Sequence, residues 1–197
     1  MNKAFAWNYR DKSVSYQEFR QHFEQKVNQQ PDPLDQHAVE YHHYYQLNWQ
    51  RSLRVEKVYT PSEQARNILA AIAKPQTWIV ITEGWCGDSS QIMPILAALA
   101  ALNPHIHFMV AHRDQYPELI DAYKTDGKLG IPKLVAMDEQ GNELWTWGPR
   151  PAEAVHLFHE LKEQNLEKQK IYEALHLWYA RNKGAAIEKE IVDLAAS

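Results

Sequence analysis

The stretch TWIVIT, Thr77 to Thr82, constrains this chain more than any other. It is short, almost continuously apolar and rich in β-branched residues, which suits a strand buried on both faces of a sheet. The segments around it supply the covering layers. TPSEQARNILAAIA before it reads as a capped helix, with Thr60 as N-cap, Pro61 at the first helical position and Glu63 closing a capping box. GDSSQIMPILAALAAL after it reads as a helix, HIHFMVAHR as a second strand and QYPELIDAYKT as a short helix. IPKLVAMD and ELWTWG flank Glu139-Gln140-Gly141-Asn142 as a hairpin, and PAEAVHLFHELKEQ is a helix with Pro151 near its start. The order α-β-α-β-α-β-β-α predicts an α/β sandwich with a mixed sheet.

The flanks are helical. SVSYQEFRQHFEQKV starts with a capping Ser and places Tyr16, Phe19 and Phe23 at helical spacing, until two prolines in QQPDPLDQ interrupt it. A second helix, about Asp35 to Lys57, carries Tyr41, Tyr44, Tyr45 and Trp49 and turns basic at Arg51, Arg54 and Lys57, which suits its C-terminal dipole. From about Leu166, two helical patterns divide at NKG, with Gly184 as a C-cap. We therefore expect an N-terminal helical extension over 1–58, a domain over 59–165, and helices over 166–197 packed upon it. The flanking aromatics and Leu175 and Trp178 are too much apolar surface to leave wet. A chain of 197 residues, 45% of them hydrophobic, is enough for one good core. A net charge of −4 with no basic block argues against a nucleic-acid partner. No apolar stretch approaches the roughly 20 residues of a membrane span, and the N-terminus has no apolar signal region, so a cytoplasmic protein is expected. A single cysteine, Cys86, excludes an intramolecular disulfide and a cysteine-rich zinc site.

That cysteine stands in GWCGDSSQIMP, directly after the buried strand and at the start of a helix. A thiolate rather than a thiol is the nucleophile, and unpaired N–H groups at a helix start favour ionisation. Gly87 lets backbone approach the sulfur, and Trp85 shelters one side. Asp88 disfavours a neighbouring thiolate. The balance predicts a thiol pKa between about 6.5 and 8. Ser89 stands where a dithiol enzyme carries its second sulfur; it can hydrogen-bond the sulfur but cannot attack a mixed disulfide. Cys86 can therefore perform only the first exchange step, and an external thiol must release it. The competing reading is a buried, inert cysteine.

From Thr60 to Gln164 the chain resembles the thioredoxin superfamily. Trp85-Cys86-Gly87 follows a buried strand, and Pro94 lies eight residues beyond the cysteine, where thioredoxins kink their first active-site helix. Gly130-Ile131-Pro132 occupies the cis-proline position, and Gly148 follows the last hairpin strand, where the family usually has a glycine. The Trp-Cys-Gly-Asp-Ser motif is similar to that of a bacterial subgroup lacking the second cysteine. The resemblance implies a thioredoxin-like three-layer sandwich with helical extensions. It also implies that Cys86 is the nucleophile, that Trp85, Gly87 and Pro132 shape the pocket, and that Asp88 and Ser89 tune the sulfur. Val80 stands where dithiol thioredoxins bury an acid for the second half-reaction, a loss consistent with Ser89. The implied activity is thiol–disulfide exchange on a protein or small-thiol disulfide, resolved by glutathione or another small thiol, with no cofactor. A non-catalytic binding or chaperone-like module using the Pro132 edge and the aromatic helices is the alternative. A cluster-carrying monothiol glutaredoxin is a third and weaker reading, because Asp88 replaces that family's Phe.

Other candidates read as structural. His37, His42 and His43 share a helix face with acidic residues, but no second cluster completes a metal site. Asp114, Asp121 and Asp126 read as solvated, and the aromatic helix as a packing face. LWTWGPRP reads as an edge strand packed on the extra helices; the alternative places Arg150 near the thiol pocket, steadying a carboxylate.

Overall fold

A computed structural model describes residues 4–197. A 3-10 segment, Phe5–Lys12, leads into a two-residue strand β1 (Val14–Ser15) and the helices α1 (Tyr16–Asn28), α2 (Gln36–Val58) and α3 (Glu63–Ala70). Then come β2 (Gln76–Thr82), α4 (Gly87–Ala100), β3 (Ile106–His112), α5 (Pro117–Ala122), β4 (Lys133–Asp138) and β5 (Glu143–Trp147). The chain ends with α6 (Ala152–Glu163), α7 (Lys168–Asn182) and α8 (Ala185–Ala195).

The five strands form one mixed sheet in the order β1-β3-β2-β4-β5, with β2 and β3 parallel and the other pairs antiparallel. Strand β2 is hydrogen-bonded on both edges and buried from Thr77 to Thr82, which is why its centre, Trp78 to Ile81, is apolar on both faces. Alternation then sorts its side chains between two cores. Trp78 and Val80 join Leu96, Leu99, Leu134 and Tyr179 on the α4 side, whereas Ile79 and Ile81 join Leu119, Ile120, Val135 and Met137 on the α5 side. The result is the α/β three-layer sandwich of a thioredoxin-like fold, with helices on both faces.

Three local expectations need correction. The helix after Tyr59 is capped by Ser62, whose side chain accepts from the Ala65 N–H, and not by Thr60; Pro61 lies before the cap. The N-terminal region is not purely helical, because Val14 and Ser15 pair with Val110 and Met109 as an added edge strand. Two residues cannot show a period, so that strand left no pattern to read. At the NKG break, Lys183 (φ 52°) takes the left-handed C-cap position after α7, and Gly184 (φ 89°) stands as the N-cap of α8.

Pro94 sits inside α4, which continues through it to Ala100. A proline has no N–H to offer the carbonyl four residues earlier, and here that carbonyl belongs to Ser90. The Ser52 hydroxyl of α2 donates to it at 3.1 Å, in the interior. The helix defect is thus filled from a neighbouring helix.

Candidate functional site

The turn over residues 83–86 joins β2 to α4, whose first residues are Gly87, Asp88 and Ser89. Cys86 is the residue just before the first helical one, with extended backbone (φ −78°, ψ 122°), and its carbonyl accepts from the Ser90 N–H at 3.1 Å. The sulfur donates to the Ile131 carbonyl at 3.4 Å. The Ile131–Pro132 bond is cis, so the thiol lies against the loop that carries Pro132. Gly148 closes that corner. Its φ is +105°, and a Cβ there would fall 2.3 Å from the Pro132 carbonyl oxygen. Only glycine meets both demands.

The electrostatics of the thiol differ from expectation. Cys86 is 9% exposed. Burial first, and the Asp88 charge second, push its pKa up to about 11, against hydrogen bonds from Ser89 and the Asp88 backbone that pull it down. The expected lowering into the range of about 6.5 to 8 is therefore reversed. The helix start contributes at most about 1 kcal/mol at an exposed site, and removing the sulfur from water costs more.

Asp88 is itself buried and fully engaged. Its Oδ1 accepts from Arg150 Nε at 2.9 Å and from the Tyr179 hydroxyl at 2.8 Å, while Oδ2 accepts from Arg150 Nη2 at 2.6 Å. The Arg150 guanidinium also lies 4.5 Å from the Phe158 ring centroid. The LWTWGPRP segment thus does both things weighed for it. Trp147 donates to Glu190 of α8 at 2.7 Å, and Arg150 steadies a carboxylate, one of the chain's own. Ser89 turns inward, where its hydroxyl oxygen accepts from the Thr82 hydroxyl at 2.6 Å. Val80 is fully buried in the α4-side core.

Helices α2 and α7 add a polar layer that the sequence does not announce. Asn48 donates to the Trp85 carbonyl at 2.7 Å and accepts from Arg51 at 2.8 Å. Arg54 donates to Gln91 Oε1 at 2.9 Å, and the Gln91 amide meets His176 Nδ1 at 3.2 Å. His176 Nε2 would stand 3.0 Å from a Cβ on Gly87, so the missing side chain is what admits the imidazole. Burial first, and the Arg51 charge next, push the His176 pKa down to about 4, so the ring is neutral at pH 7.

Trp85 is held from outside. Its indole N–H donates to Asp114 at 2.9 Å, the Arg113 guanidinium lies 4.5 Å from the ring centroid, and Tyr41 meets it edge-on at 5.7 Å. The buried Glu83 carboxylate fixes that loop by accepting from the Asp114 N–H at 3.0 Å. Asp114 is therefore part of the site's frame rather than only a solvated side chain. Asp121 pairs with Lys124, and Asp126 occupies a left-handed turn (φ 51°).

The structure brings Cys86 and Pro132 together, with Trp85, Gly87, Asp88 and Ser89 around the sulfur. Sequence reasoning missed Asn48, Ser52, Glu83, Gln91, His176 and Tyr179. A signal existed for one of them: Pro94 orphans a carbonyl, and some donor had to meet it. Among the described residues no group of three or more His, Cys, Asp or Glu side chains is placed to hold a metal ion. His42 instead contacts the Val27 carbonyl at 2.9 Å, and His37 packs on Tyr41. No helix among the described residues is long and apolar enough to cross a membrane.

This arrangement, a sheet-to-helix cysteine facing a cis-proline loop, defines a thioredoxin-fold protein. A family model described as Thioredoxin matches residues 35–165, and the chain belongs to that family. The match takes in α2 and stops before α7. No curated protein matches the chain. Two solved structures share its fold. One is an HIV epitope-scaffold, with 16% identity, a TM-score of 0.56, and coverage of 92% of this chain and 97% of that one. The other is a protein of unknown function, PA1234 from Pseudomonas aeruginosa, with 16% identity, a TM-score of 0.54, and coverage of 89% and 95%.

Proposed function

We propose that the protein carries out thiol–disulfide exchange through Cys86 alone, with an external thiol as resolver. The observation that carries this reading is the position of the sulfur, at the start of α4 and 3.4 Å from the carbonyl that precedes Pro132. Cys86 loses its proton to solvent and attacks one sulfur of a bound disulfide. A mixed disulfide forms, the old S–S bond breaks, and the partner leaves as a thiolate that takes up a proton. Ser89 cannot continue the reaction, so the thiolate of glutathione or another small thiol attacks the partner's sulfur and forms a new disulfide with it, while Cys86 leaves as a thiolate that takes up a proton. A cytoplasmic setting keeps such thiols reduced.

The raised pKa sets the rate. At pH 7 a thiol with a pKa of about 11 is about one part in 10⁴ thiolate. Greater intrinsic nucleophilicity recovers part of that loss, so exchange is slower than for an unperturbed cysteine. The protein thus disfavours indiscriminate reaction with small disulfides and requires a partner held against the Pro132 edge.

The same burial favours a second reading, a binding module in which Cys86 is a packing residue. Two measurements separate them: the rate of iodoacetamide alkylation against pH, and intact mass after incubation with oxidised glutathione. Exchange predicts a slow rate that rises to a pKa well above 8.5 and a single glutathione adduct reversed by dithiothreitol. Ser89→Cys should gain some insulin-reducing activity, limited because Val80 leaves the buried acid missing. A folded protein with no adduct at any pH, and no gain in Ser89→Cys, would leave the binding reading standing.

A further inference from the structure

Between α2, α4 and α7, apart from the thiol, lies a cleft of about 250 Å³. Its apolar surface comes from Val55, Val58, Tyr59 and Ile95, and its exposed rim carries Arg54 and Lys183. The chain has more acids than bases, 25 against 21, yet none of the residues lining this cleft is acidic. The carboxylates that reach its lining are already occupied: Glu188 accepts from the Tyr59 hydroxyl and the Ser62 N–H, and Asp88 from Tyr179 and Arg150. Gln91 is also committed, to Arg54 and His176. Among the described residues neither Arg54 nor Lys183 has a carboxylate partner within ion-pair distance.

We propose that this cleft binds a small organic anion, a carboxylate with a short unbranched apolar tail. The tail displaces water from Val55, Val58 and Ile95, and the carboxylate sits at the rim between Arg54 and Lys183. The two contributions are complementary. Apolar walls alone would hold any hydrocarbon, and two exposed cations alone would hold any anion weakly. An apolar cavity of about 150 Å³ already admits benzene, so the space suffices for a chain of several carbons. Arg54 and Lys183 are exposed whereas Val55 and Ile95 are buried, which orients the ligand tail-first.

The test uses the whole chain, methyl-labelled for NMR, titrated at low ionic strength with hexanoate, 1-hexanol and inorganic phosphate. Hexanoate should give saturable shifts at the Ile95 and Val58 methyls, about tenfold tighter than 1-hexanol, because a charge-assisted contact is lost with the alcohol. Arg54→Gln and Lys183→Gln should each weaken hexanoate several-fold while leaving the 1-hexanol shifts unchanged. Among the described residues the Lys183 ammonium has no ion-pair partner, and its backbone N–H donates to the Tyr179 carbonyl whatever the side chain, so its variant keeps the test valid if Arg54→Gln disturbs Gln91. Equal binding of 1-hexanol and hexanoate, phosphate binding as tightly as hexanoate, or no saturation with hexanoate would each overturn the proposal.

Discussion

The thiol has two neighbours built on different principles. Toward Pro132 it meets backbone: the Ile131 carbonyl, the turn behind it, and Gly148, whose lack of a Cβ lets two loops touch. Toward α2 and α7 lie buried and half-buried side chains joined by hydrogen bonds: Asp88 with Arg150 and Tyr179, Gln91 with His176, and Asn48 with the Trp85 carbonyl. Shape governs the first side and polar satisfaction the second. Among the described residues no buried side-chain nitrogen or oxygen lacks a partner, so truncating one of these groups takes a hydrogen bond from its partner. The backbone side fails by collision, and the side-chain side fails by leaving charge or dipole unpaired.

The largest effect should come from Arg150→Met. It removes both guanidinium bonds to Asp88 and leaves a carboxylate that is only 9% exposed, with Tyr179 as its remaining side-chain donor. Breaking one partner of a buried pair costs about 3–5 kcal/mol, and urea denaturation should show a loss of that size. A loss below about 1 kcal/mol would mean that Asp88 regains water, and the contrast between the two sides would fail. Gly148→Ala tests the other side. At φ +105° and with a Cβ 2.3 Å from the Pro132 oxygen, the loop must move, and we expect about 3 kcal/mol lost. The Pro132 resonances should shift with it. A neutral Gly148→Ala would show that the corner is not sterically set.

These two sides were unequally legible in the sequence. Cys86 and the strand–helix order are legible from local pattern, and Pro132 and Gly148 through the resemblance to the thioredoxin superfamily, whose backbone geometry demands particular residue types at those positions. Asp88, Arg150 and Tyr179 are far apart in the chain; Asp88 reads as a residue that tunes the sulfur and Arg150 as one that could steady a carboxylate, but nothing in the sequence pairs them, and Tyr179 carries no signal. Their meeting depends on where α7 lands, and nothing local fixes that. The thiol pKa failed for a related reason. The helix start is a local feature that the sequence shows, whereas burial under tertiary packing is not local and reverses its effect.

The side-chain layer should also make stability depend on pH through His176. Its folded pKa of about 4 lies below the unfolded value of about 6.5. Above pH 6.5 the ring is neutral in both states and contributes no pH dependence. As pH falls from 6.5 toward 4, the unfolded chain takes up the proton and the folded one does not, so stability is lost across that window. Allowing for partial exposure, the loss is about 2 kcal/mol. Arg51, Arg54, Arg150 and Asp88 all bear on this ring, but the arginines stay charged throughout. Urea denaturation at pH 7 and pH 4.5 should therefore give a smaller pH-dependent difference for His176→Gln than for the wild type. Equal differences in the two proteins would assign the acid sensitivity elsewhere.

The smallest expected effect belongs to Ser52→Ala, yet it bears most directly on how the second side is assembled. Pro94 withholds the N–H that the Ser90 carbonyl would take in a regular helix, and the Ser52 hydroxyl replaces it at 3.1 Å. Truncation to alanine removes one oxygen and leaves a buried carbonyl unpaired, worth about 1–2 kcal/mol. The double variant Ser52→Ala with Pro94→Ala restores the helical N–H to Ser90, so Ser52 should lose most of its value there. The coupling between the two sites should approach 1 kcal/mol in a double-mutant cycle. Additive losses would mean that α4 meets its own carbonyl in another way and that α2 packs on it for apolar reasons alone. Coupled losses would show that α2 is held in place by a defect in the helix that carries the thiol. Hydrogen exchange at the Cys86–Gln91 amides should then speed up in Ser52→Ala and return toward wild-type rates in the double variant.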